Sequence, residues 1–184
     1  NGKVFLSNIQ VLKEAQPIVL DSIKILAYAD NEKNNIKIQS QFLKAEMDGK
    51  YKLTTLTATL KKSLSKYMDL QVPKTKGDSD EQRLTFNLSV NSDPLLFQLV
   101  PKLKSLEPIQ ITGKYNNVVD SLEIKGTIPK IVYDGNTLSD GKINIEAKDE
   151  GLEYQVSAAP VESGDFKIPF VGLAGKIEDN ILSY

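Results

Sequence analysis

The chain contains no cysteine and no histidine among its 184 residues. Without cysteine there is no disulfide framework and no thiolate chemistry. Without either residue type, zinc sites and the usual Ser-His or Cys-His pairs of nucleophilic catalysis are not available. The sequence also has no glycine-rich loop for binding phosphates. We therefore predict no metal site and no catalytic residues.

Charge of one sign is not in excess either, because 23 basic and 24 acidic residues leave a net charge of −1. A nucleic-acid partner would require a basic patch that neutralises phosphates, so we predict no nucleic-acid partner. The longest apolar runs are only a few residues, too short to cross a bilayer. There is no initiator methionine and no charged-then-apolar leader, so we expect a mature or excised piece with its targeting signal elsewhere.

The sequence does contain a regular alternation of apolar and polar side chains between residues 107 and 158. A period of two places every second side chain on the same face of a strand. We therefore predict several strands, each with one apolar and one polar face, joined by short polar turns. The apolar positions are Ile109, Ile111, Gly113 and Tyr115; Leu122, Ile124, Gly126 and Ile128; Ile143, Ile145 and Ala147; and Leu152, Tyr154, Val156 and Ala158.

The first fifty residues continue this period with two irregularities. The apolar parity changes between Phe42 and Leu43, which predicts a β-bulge. Asp48-Gly49 is a strong hairpin signal, so we expect a turn there and a return strand beginning at Tyr51. Further Asp-Gly pairs at residues 134–135 and 140–141 also predict turns.

Two segments have helical spacing instead. The first has one apolar stripe, with Thr54 or Thr55 as its expected cap. The second begins at Asp93-Pro94 and should be interrupted at Pro101. The stripe residues are Leu56, Leu60, Leu64, Tyr67 and Met68 in the first helix, and Leu95, Leu96, Leu99, Val100 and Leu103 in the second.

Together these patterns predict a mainly β protein of about ten strands and two short amphipathic helices. We expect one β-rich domain over residues 1–184, with a mobile loop over residues 71–83. The sheet is expected to be curved and rich in antiparallel pairs. It would form a trough, or a partly open barrel or sandwich.

The apolar face of such a sheet must be covered by something. Each buried Ile or Leu contributes about 1.5–3 kcal/mol, and a whole domain is stable by only about 5–15 kcal/mol. Two sheets could face each other, one sheet could close into a barrel, or a trough could be filled partly by the helices and partly by an apolar guest. Two short helices cannot cover ten strands, so some of this face should find another partner.

Polar clusters suggest no convincing alternative site. Asp78, Asp80 and Glu81 resemble the start of a calcium loop, but the position that requires glycine is Arg83. Lys61, Lys62 and Lys66 are interpreted as the solvated face of the first helix rather than as a lipid-headgroup site. A hydrolase using a pair of Asp or Glu residues stays a weaker alternative, since no nucleophile–base arrangement is visible.

Four stretches carry a resemblance to a known family: residues 50–56, 84–88, 100–109 and 131–138. Their succession of strand, turn and amphipathic helix over residues 18–184 resembles the C-terminal part of the TamB family of AsmA-like envelope proteins, as found in Bacteroidetes-type bacteria. The resemblance implies a periplasmic segment of a longer protein that is anchored to the inner membrane outside this chain.

The resemblance implies an apolar β-groove that assists phospholipid transport or protein insertion. It also implies that the protein has an outer-membrane β-barrel partner. It implies no reaction and no cofactor. The two helices depart from the family pattern, because they could plug the groove. The inward-facing positions, carried over as candidate lipid contacts, are Ile109, Ile111, Leu122, Ile124, Ile143, Ile145, Leu152, Tyr154 and Val156. The rival hypothesis is a structural or interaction domain with a filled core, whose edge strands pair with partner strands.

Overall fold

The computed structural model describes residues 1–13, 16–30, 32–70, 81–148 and 151–184. Within these residues the protein is mainly β, with two short helices and one antiparallel sheet of 14 strands that is not closed. This confirms the predicted fold class. Because the sheet of the described strands is single and open, these strands cover the apolar face neither by barrel closure nor as a second facing sheet.

The elements follow the chain as a long meander. The strands are β1 (Gly2–Lys13), β2 (Gln16–Ala29), β3 (Asn34–Gln39), β4 (Leu43–Lys50), β5 (Arg83–Val90), β6 (Leu103–Leu106), β7 (Ile109–Asn116), β8 (Ser121–Tyr133), β9 (Asn136–Lys148), β10 (Gly151–Ala158), β11 (Val161–Ser163), β12 (Phe166–Ile168), β13 (Val171–Glu178) and β14 (Ile181–Ser183). Helix α1 (Leu53–Leu64) lies between β4 and β5, and α2 (Pro94–Leu99) between β5 and β6.

Strand order along the sheet is β1-β2-β3-β4-β5-β7-β8-β9-β10-β13-β14. Every neighbouring pair is antiparallel, and most neighbours are consecutive in the chain. Strand β6 pairs with the far end of β8, while β11 and β12 form a small hairpin against the start of β9. This arrangement follows from the sequence, because short turns can only join strands that run in opposite directions.

Helix α1 lies across the apolar face near one end of the strands. Its stripe of Leu56, Leu60 and Leu64, extended by Met68, packs against side chains from eight strands, β3 to β5, β7 to β10 and β13. Beyond the helix, the backbone N–H of Asn180 in the β13–β14 turn donates to the carbonyl of Tyr67 over 2.9 Å. The predicted stripe is thus confirmed, and its neighbours are strands far apart in sequence.

The expected cap of α1 was wrong. The N-cap residue is Lys52, which makes no side-chain capping bond. The hydroxyl of Thr55 instead accepts a hydrogen bond from Gln82 Nε2 at 3.0 Å. For α2 the predicted start is confirmed, because Asp93 accepts from the backbone N–H of Leu95 at 2.8 Å, and the helix ends at Leu99, before Pro101. The predicted stripe was too long: Val100 is the C-cap, and Leu103 begins β6, where it pairs with Tyr133 of β8.

Helix α2 packs at the other end, on the β1–β2 ribbon. Leu95 forms a buried cluster with Ile18 and Leu20, and the partly buried Ile9, Ile23, Phe42 and Leu99 pack against that cluster. Near Asn8 the apolar residues of the ribbon switch from one set of alternate positions to the other. The φ of Asn8 is 52°, in the left-handed region, and this backbone conformation reverses which side chains point to the apolar face. As a result, residues of both parities face the same helix.

Two of the predicted turns lie within strands instead. Asp48 and Gly49 belong to β4, where they pair with Thr85 and Leu84 of β5, and the chain then enters α1 instead of a return strand. A Cβ at Gly49 would overlap the Arg83 carbonyl oxygen, so the glycine serves close strand packing at a φ of 140°. Asp140-Gly141 likewise lies within β9. Only Asp134-Gly135 is a hairpin turn of the expected kind, with positive φ at both residues.

The parity change at residues 42–43 is a turn rather than a bulge. Strand β3 ends at Gln39 and β4 begins at Leu43, and the backbone N–H of Ser40 donates to the Leu43 carbonyl over 2.8 Å.

The predicted mobile loop over residues 71–83 lies mostly outside the described part of the chain. Residues 71–80, which include Asp78 and Asp80, are not described. Near the end of the predicted loop, Gln82 is fully buried and Arg83 begins β5, so this part of the prediction was wrong. Neither described helix is long and apolar enough to cross a membrane.

Candidate functional site

The strand registers align the apolar residues into rows that run across the sheet. Residues paired directly opposite each other lie on the same face, so a chain of such pairs defines one continuous row. The row that we call the central row crosses ten strands. It consists of Val4, Ile25, Ile38, Ala45, Leu88, Ile111, Gly126, Ile143, Val156 and Leu173. At about 4.8 Å between neighbouring strands, the row is about 43 Å long.

The central row lies between the parts of the sheet covered by α1 and α2. The adjacent row on the α1 side includes Ile36, Met47, Phe86, Ile124 and Ile145, all packed against the α1 cluster. None of the central-row residues belongs to either core cluster found in the described residues. Its middle members are half-buried, apart from the buried Gly126, so their side chains are sheltered by the flanking structure without being sealed.

Both ends of the central row are open to solvent. Val4 at the β1 end is 48% exposed, while Val156 and Leu173 at the β10–β13 end are 42% and 57% exposed. The neighbouring Val171 and Phe170 are exposed as well. An apolar strip that is half-buried in the middle and open at both ends offers a guest two lateral entrances.

The structure places all nine candidate lipid-facing residues on the same face of the sheet. Ile111, Ile143 and Val156 belong to the central row, while Ile109 pairs with Val90 one row closer to α2. Leu122 and Leu152 are buried in the α1 cluster, and Ile124 and Ile145 pack against it. Tyr154 lies in the row beside α1 with its ring over Gly175. A guest could therefore reach the first group directly and the α1-covered group only by displacing the helix.

The opposite face of the sheet is polar and carries a charged cluster around Asn35. The Asn35 amide donates to Glu46 Oε1 and Asp48 Oδ1, both at 2.9 Å. Lys37 pairs with Glu46 at 3.0 Å and Lys33 with Asp48 at 2.9 Å. The hydrogen bond from Asn35, followed by that from Lys37, lowers the pKa of Glu46. The hydrogen bond from Lys33, followed by that from Asn35, lowers the pKa of Asp48.

A hollow of about 320 Å³ lies beside this cluster on the polar face. Most of the residues around it are amides, hydroxyls and charged groups of β3, β4, β5 and β7: Lys37, Gln39, Lys44, Glu46, Asn87, Ser89, Gln110 and Thr112. These side chains offer hydrogen-bond donors and acceptors to a polar ligand, and they include the carboxylate of Glu46 and the hydroxyls of Ser89 and Thr112.

Polar groups beneath α1 fix the helix on the sheet. Gln82 has no exposed surface, and its Nε2 donates to Thr55 and Thr59 at 3.0 and 2.9 Å. The hydroxyls of Ser63 and Tyr115 are 2.9 Å apart and share a hydrogen bond. Burial raises the pKa of the Tyr115 hydroxyl, and it also raises that of Tyr51. These contacts hold α1 over one flank of the central row.

Sequence reasoning missed the parts of the site that depend on long-range pairing. The alternation identified the apolar face, but nothing in it showed which of those residues α1 would cover. Gln82 was assigned to a loop because the residues before it have no period, although it is a fully buried anchor of α1. A buried glutamine is recognisable only when its helix partners are known.

Comparison of the chain with protein-family models, with curated proteins and with solved structures finds no match.

Proposed function

We propose that this chain is a non-catalytic segment of a TamB-like cell-envelope protein, and that its central row binds the acyl chains of phospholipid. The observation that carries the proposal is the continuous apolar row across ten strands, half-buried between two helices and open at both ends. The sequence resemblance given above supports the same function.

The dimensions of the row suit an acyl chain. The hydrocarbon core of a bilayer is about 30 Å thick, so one leaflet of acyl chains measures about 15 Å. A row of about 43 Å could take two such chains end to end. Apolar burial contributes about 0.8 kcal/mol per CH₂ group, which is sufficient to hold a chain without any polar recognition.

The wider setting is part of the same proposal. The segment would lie in the periplasm, attached to the inner membrane through a part of the protein outside this chain, with an outer-membrane β-barrel as partner. It would assist lipid transport, or protein insertion, between the two membranes. An apolar row without charged members suits both roles, because it offers the same surface to an acyl chain and to an apolar strand.

Lipid binding is tested by native mass spectrometry of the purified chain and by titration with a fluorescent fatty acid. We expect co-purified phospholipid and saturable uptake. Val156→Asp and Leu173→Asp place a charge at the open end of the row, where solvation keeps the fold intact. We expect at least about tenfold weaker uptake, since an unpaired charge beside bound hydrocarbon costs more than about 1.4 kcal/mol.

The matched control is Ser157→Asp, which adds the same charge to the neighbouring residue of β10 on the opposite face. Its uptake should equal that of the unmodified chain. Ile124→Asp and Ile145→Asp are unsuitable, because both residues pack against the α1 cluster and would unfold it. Absence of any bound lipid, together with no fatty-acid uptake, would exclude the proposal and favour the interaction-domain hypothesis.

A further inference from the structure

The charges on the polar face of the sheet are sorted into rows. One row, which we call the basic row, lies on the α2 side of the central row and crosses seven strands from β2 to β9. It contains three lysines and no carboxylate. Its members follow from the strand registers and are Lys24, Gln39, Lys44, Ser89, Gln110, Thr127 and Lys142.

The three lysines of the basic row are not neutralised by the protein. None of them belongs to an ion pair within the described part of the chain. At about 4.8 Å between neighbouring strands, Lys44 lies about 10 Å from Lys24 and about 19 Å from Lys142. This spacing suits a ligand whose negative charges are well separated. A nucleic acid carries a phosphate on every residue and requires a denser basic surface.

A second row on the same face carries the opposite charge. We call it the acidic row, and between β4 and β10 it consists of Asp48, Thr85, Lys114, Glu123, Glu146 and Glu153. It lies four residues along each strand from the basic row, toward α1, which is a distance of about 14 Å. Charges are largely screened beyond about 8 Å at physiological ionic strength. The acidic row therefore leaves the positive field of the basic row in place.

The stretch of the basic row around Lys44 is concave and rich in uncharged polar groups. The hollow of about 320 Å³ described above includes Gln39, Lys44, Ser89 and Gln110. Within the described residues, the side chains of Gln39, Ser89 and Gln110 make no hydrogen bond to another side chain or to the backbone. Amide and hydroxyl side chains both donate and accept hydrogen bonds. Sugar hydroxyls do the same, so these groups and a sugar can satisfy each other.

We propose that the basic row binds a linear glycan that carries anionic groups on some of its sugars and only uncharged groups on the others. Lys44 and Lys142 would contact the charged sugars, and Ser89, Gln110 and Thr127 the uncharged sugars between them. A bilayer surface fits less well, because a flat layer of headgroups cannot enter the hollow. The basic row and the central row lie on opposite faces of the sheet, so this site does not depend on acyl-chain binding.

Hyaluronate is a suitable probe, because a carboxylate-bearing sugar alternates with an uncharged sugar along its chain. It is titrated into the unmodified chain at low ionic strength, where charge attraction is least screened, and the backbone amides are followed by NMR. We expect saturable shifts centred on Gln39, Lys44, Ser89 and Gln110, and none centred on the acidic row. Dextran, which has no charge, and polyglutamate, which has no hydroxyls, should bind at least about tenfold more weakly.

Three variants test the roles of the residues. Lys44→Gln removes the charge beside the hollow and should weaken hyaluronate binding about threefold, as expected for one exposed charge pair. Gln110→Ala removes an uncharged contact and should weaken binding by a similar factor. Lys114→Gln is the matched control, because it removes a lysine from the same face in the acidic row. Its affinity for hyaluronate should equal that of the unmodified chain.

Several outcomes would overturn the proposal. Equal binding of polyglutamate, or of a thymidine oligonucleotide, would show that the basic row attracts any polyanion. Binding of phosphatidylglycerol vesicles without any shift from hyaluronate would assign the face to a membrane surface instead. Equal affinities in Lys44→Gln and Lys114→Gln, or no shift at any hyaluronate concentration, would exclude a glycan site at the basic row.

Discussion

Phe86 on β5 and Gly113 on β7 are directly opposite each other, and the phenyl ring of Phe86 lies over the glycine. A Cβ at Gly113 would overlap ring carbons Cε1 and Cζ and would lie 2.9 Å from the Glu123 carbonyl oxygen. The glycine thus makes room for an aromatic side chain that packs against the α1 cluster.

Gly113→Ala should destabilise the protein for this reason. The ring must leave its position, and the backbone oxygen of Glu123 cannot move away. We expect a loss of about 1–3 kcal/mol in the free energy of unfolding, as for other overpacked cores. Urea denaturation followed by circular dichroism measures it.

Gly126→Ala is the matched control on the neighbouring strand and the same face. Its new Cβ would meet Ile143 Cβ at 3.3 Å, a contact that a shift of a few tenths of an ångström between the two strands relieves. The change in stability should be smaller than for Gly113→Ala. Equal losses would show that the Phe86 ring adapts and that its position over Gly113 is not specific.

Gln82→Ala should loosen α1 from the sheet. It removes the hydrogen bonds to Thr55 and Thr59 and leaves a space at a fully buried position. A lost hydrogen bond and a cavity together should cost about 2–4 kcal/mol. Gln110→Ala, on the exposed polar face, should cost less than about 0.5 kcal/mol. Denaturation curves that coincide for the two variants would contradict the anchoring role of Gln82.

Asn35→Ala should raise the pKa of both Glu46 and Asp48. Each carboxylate accepts a hydrogen bond from the Asn35 amide, and that bond favours the charged form. The two pKa values are lowered in the folded protein, so their stabilisation is complete above the ordinary pKa and is lost as pH falls through the folded value. The variant should therefore lose less stability than the unmodified chain when the pH falls below about 4.

Titration of the carboxylate carbons by NMR measures both pKa values directly. Gln39→Ala is the control, because it removes an amide from the same strand outside the cluster. Unchanged pKa values in Asn35→Ala would mean that Lys33 and Lys37 alone set the titration of this cluster.

Asp93→Ala should destabilise α2 through loss of its cap. The carboxylate accepts from the backbone N–H of Leu95 at 2.8 Å, and such caps contribute about 1 kcal/mol. Because α2 has only six residues, we expect the loss to appear as faster amide exchange in Leu95–Leu99. Ser92→Ala changes the neighbouring exposed residue and should leave the exchange rates unaltered.

Much of this protein is local enough to be predicted from its sequence. The alternation over residues 107–158 identified the faces of β7 to β10, since the pleat of a strand fixes alternate side chains on opposite sides. The spacing of Leu56, Leu60 and Leu64 identified the stripe of α1 in the same way. Asp93-Pro94 located the start of α2, because capping depends on residues within one turn of the helix.

Other features could not be predicted locally. Asp48-Gly49 has the composition of a turn, yet β3 and β5 pair with it on both sides and hold it extended. Asp140-Gly141 is likewise held within a strand by its neighbours. Gln82 follows a stretch without periodicity and is buried only because α1 packs above it.

The sequence by itself determined that the chain forms strands with one apolar face and two amphipathic helices, because these depend on side-chain periods of 2 and 3.6 residues. Only the tertiary structure decided which apolar residues α1 and α2 cover and which stay half-open in the central row. That choice depends on pairings between strands far apart in the chain, where hydrogen bonds and burial over the whole sheet outweigh local preference.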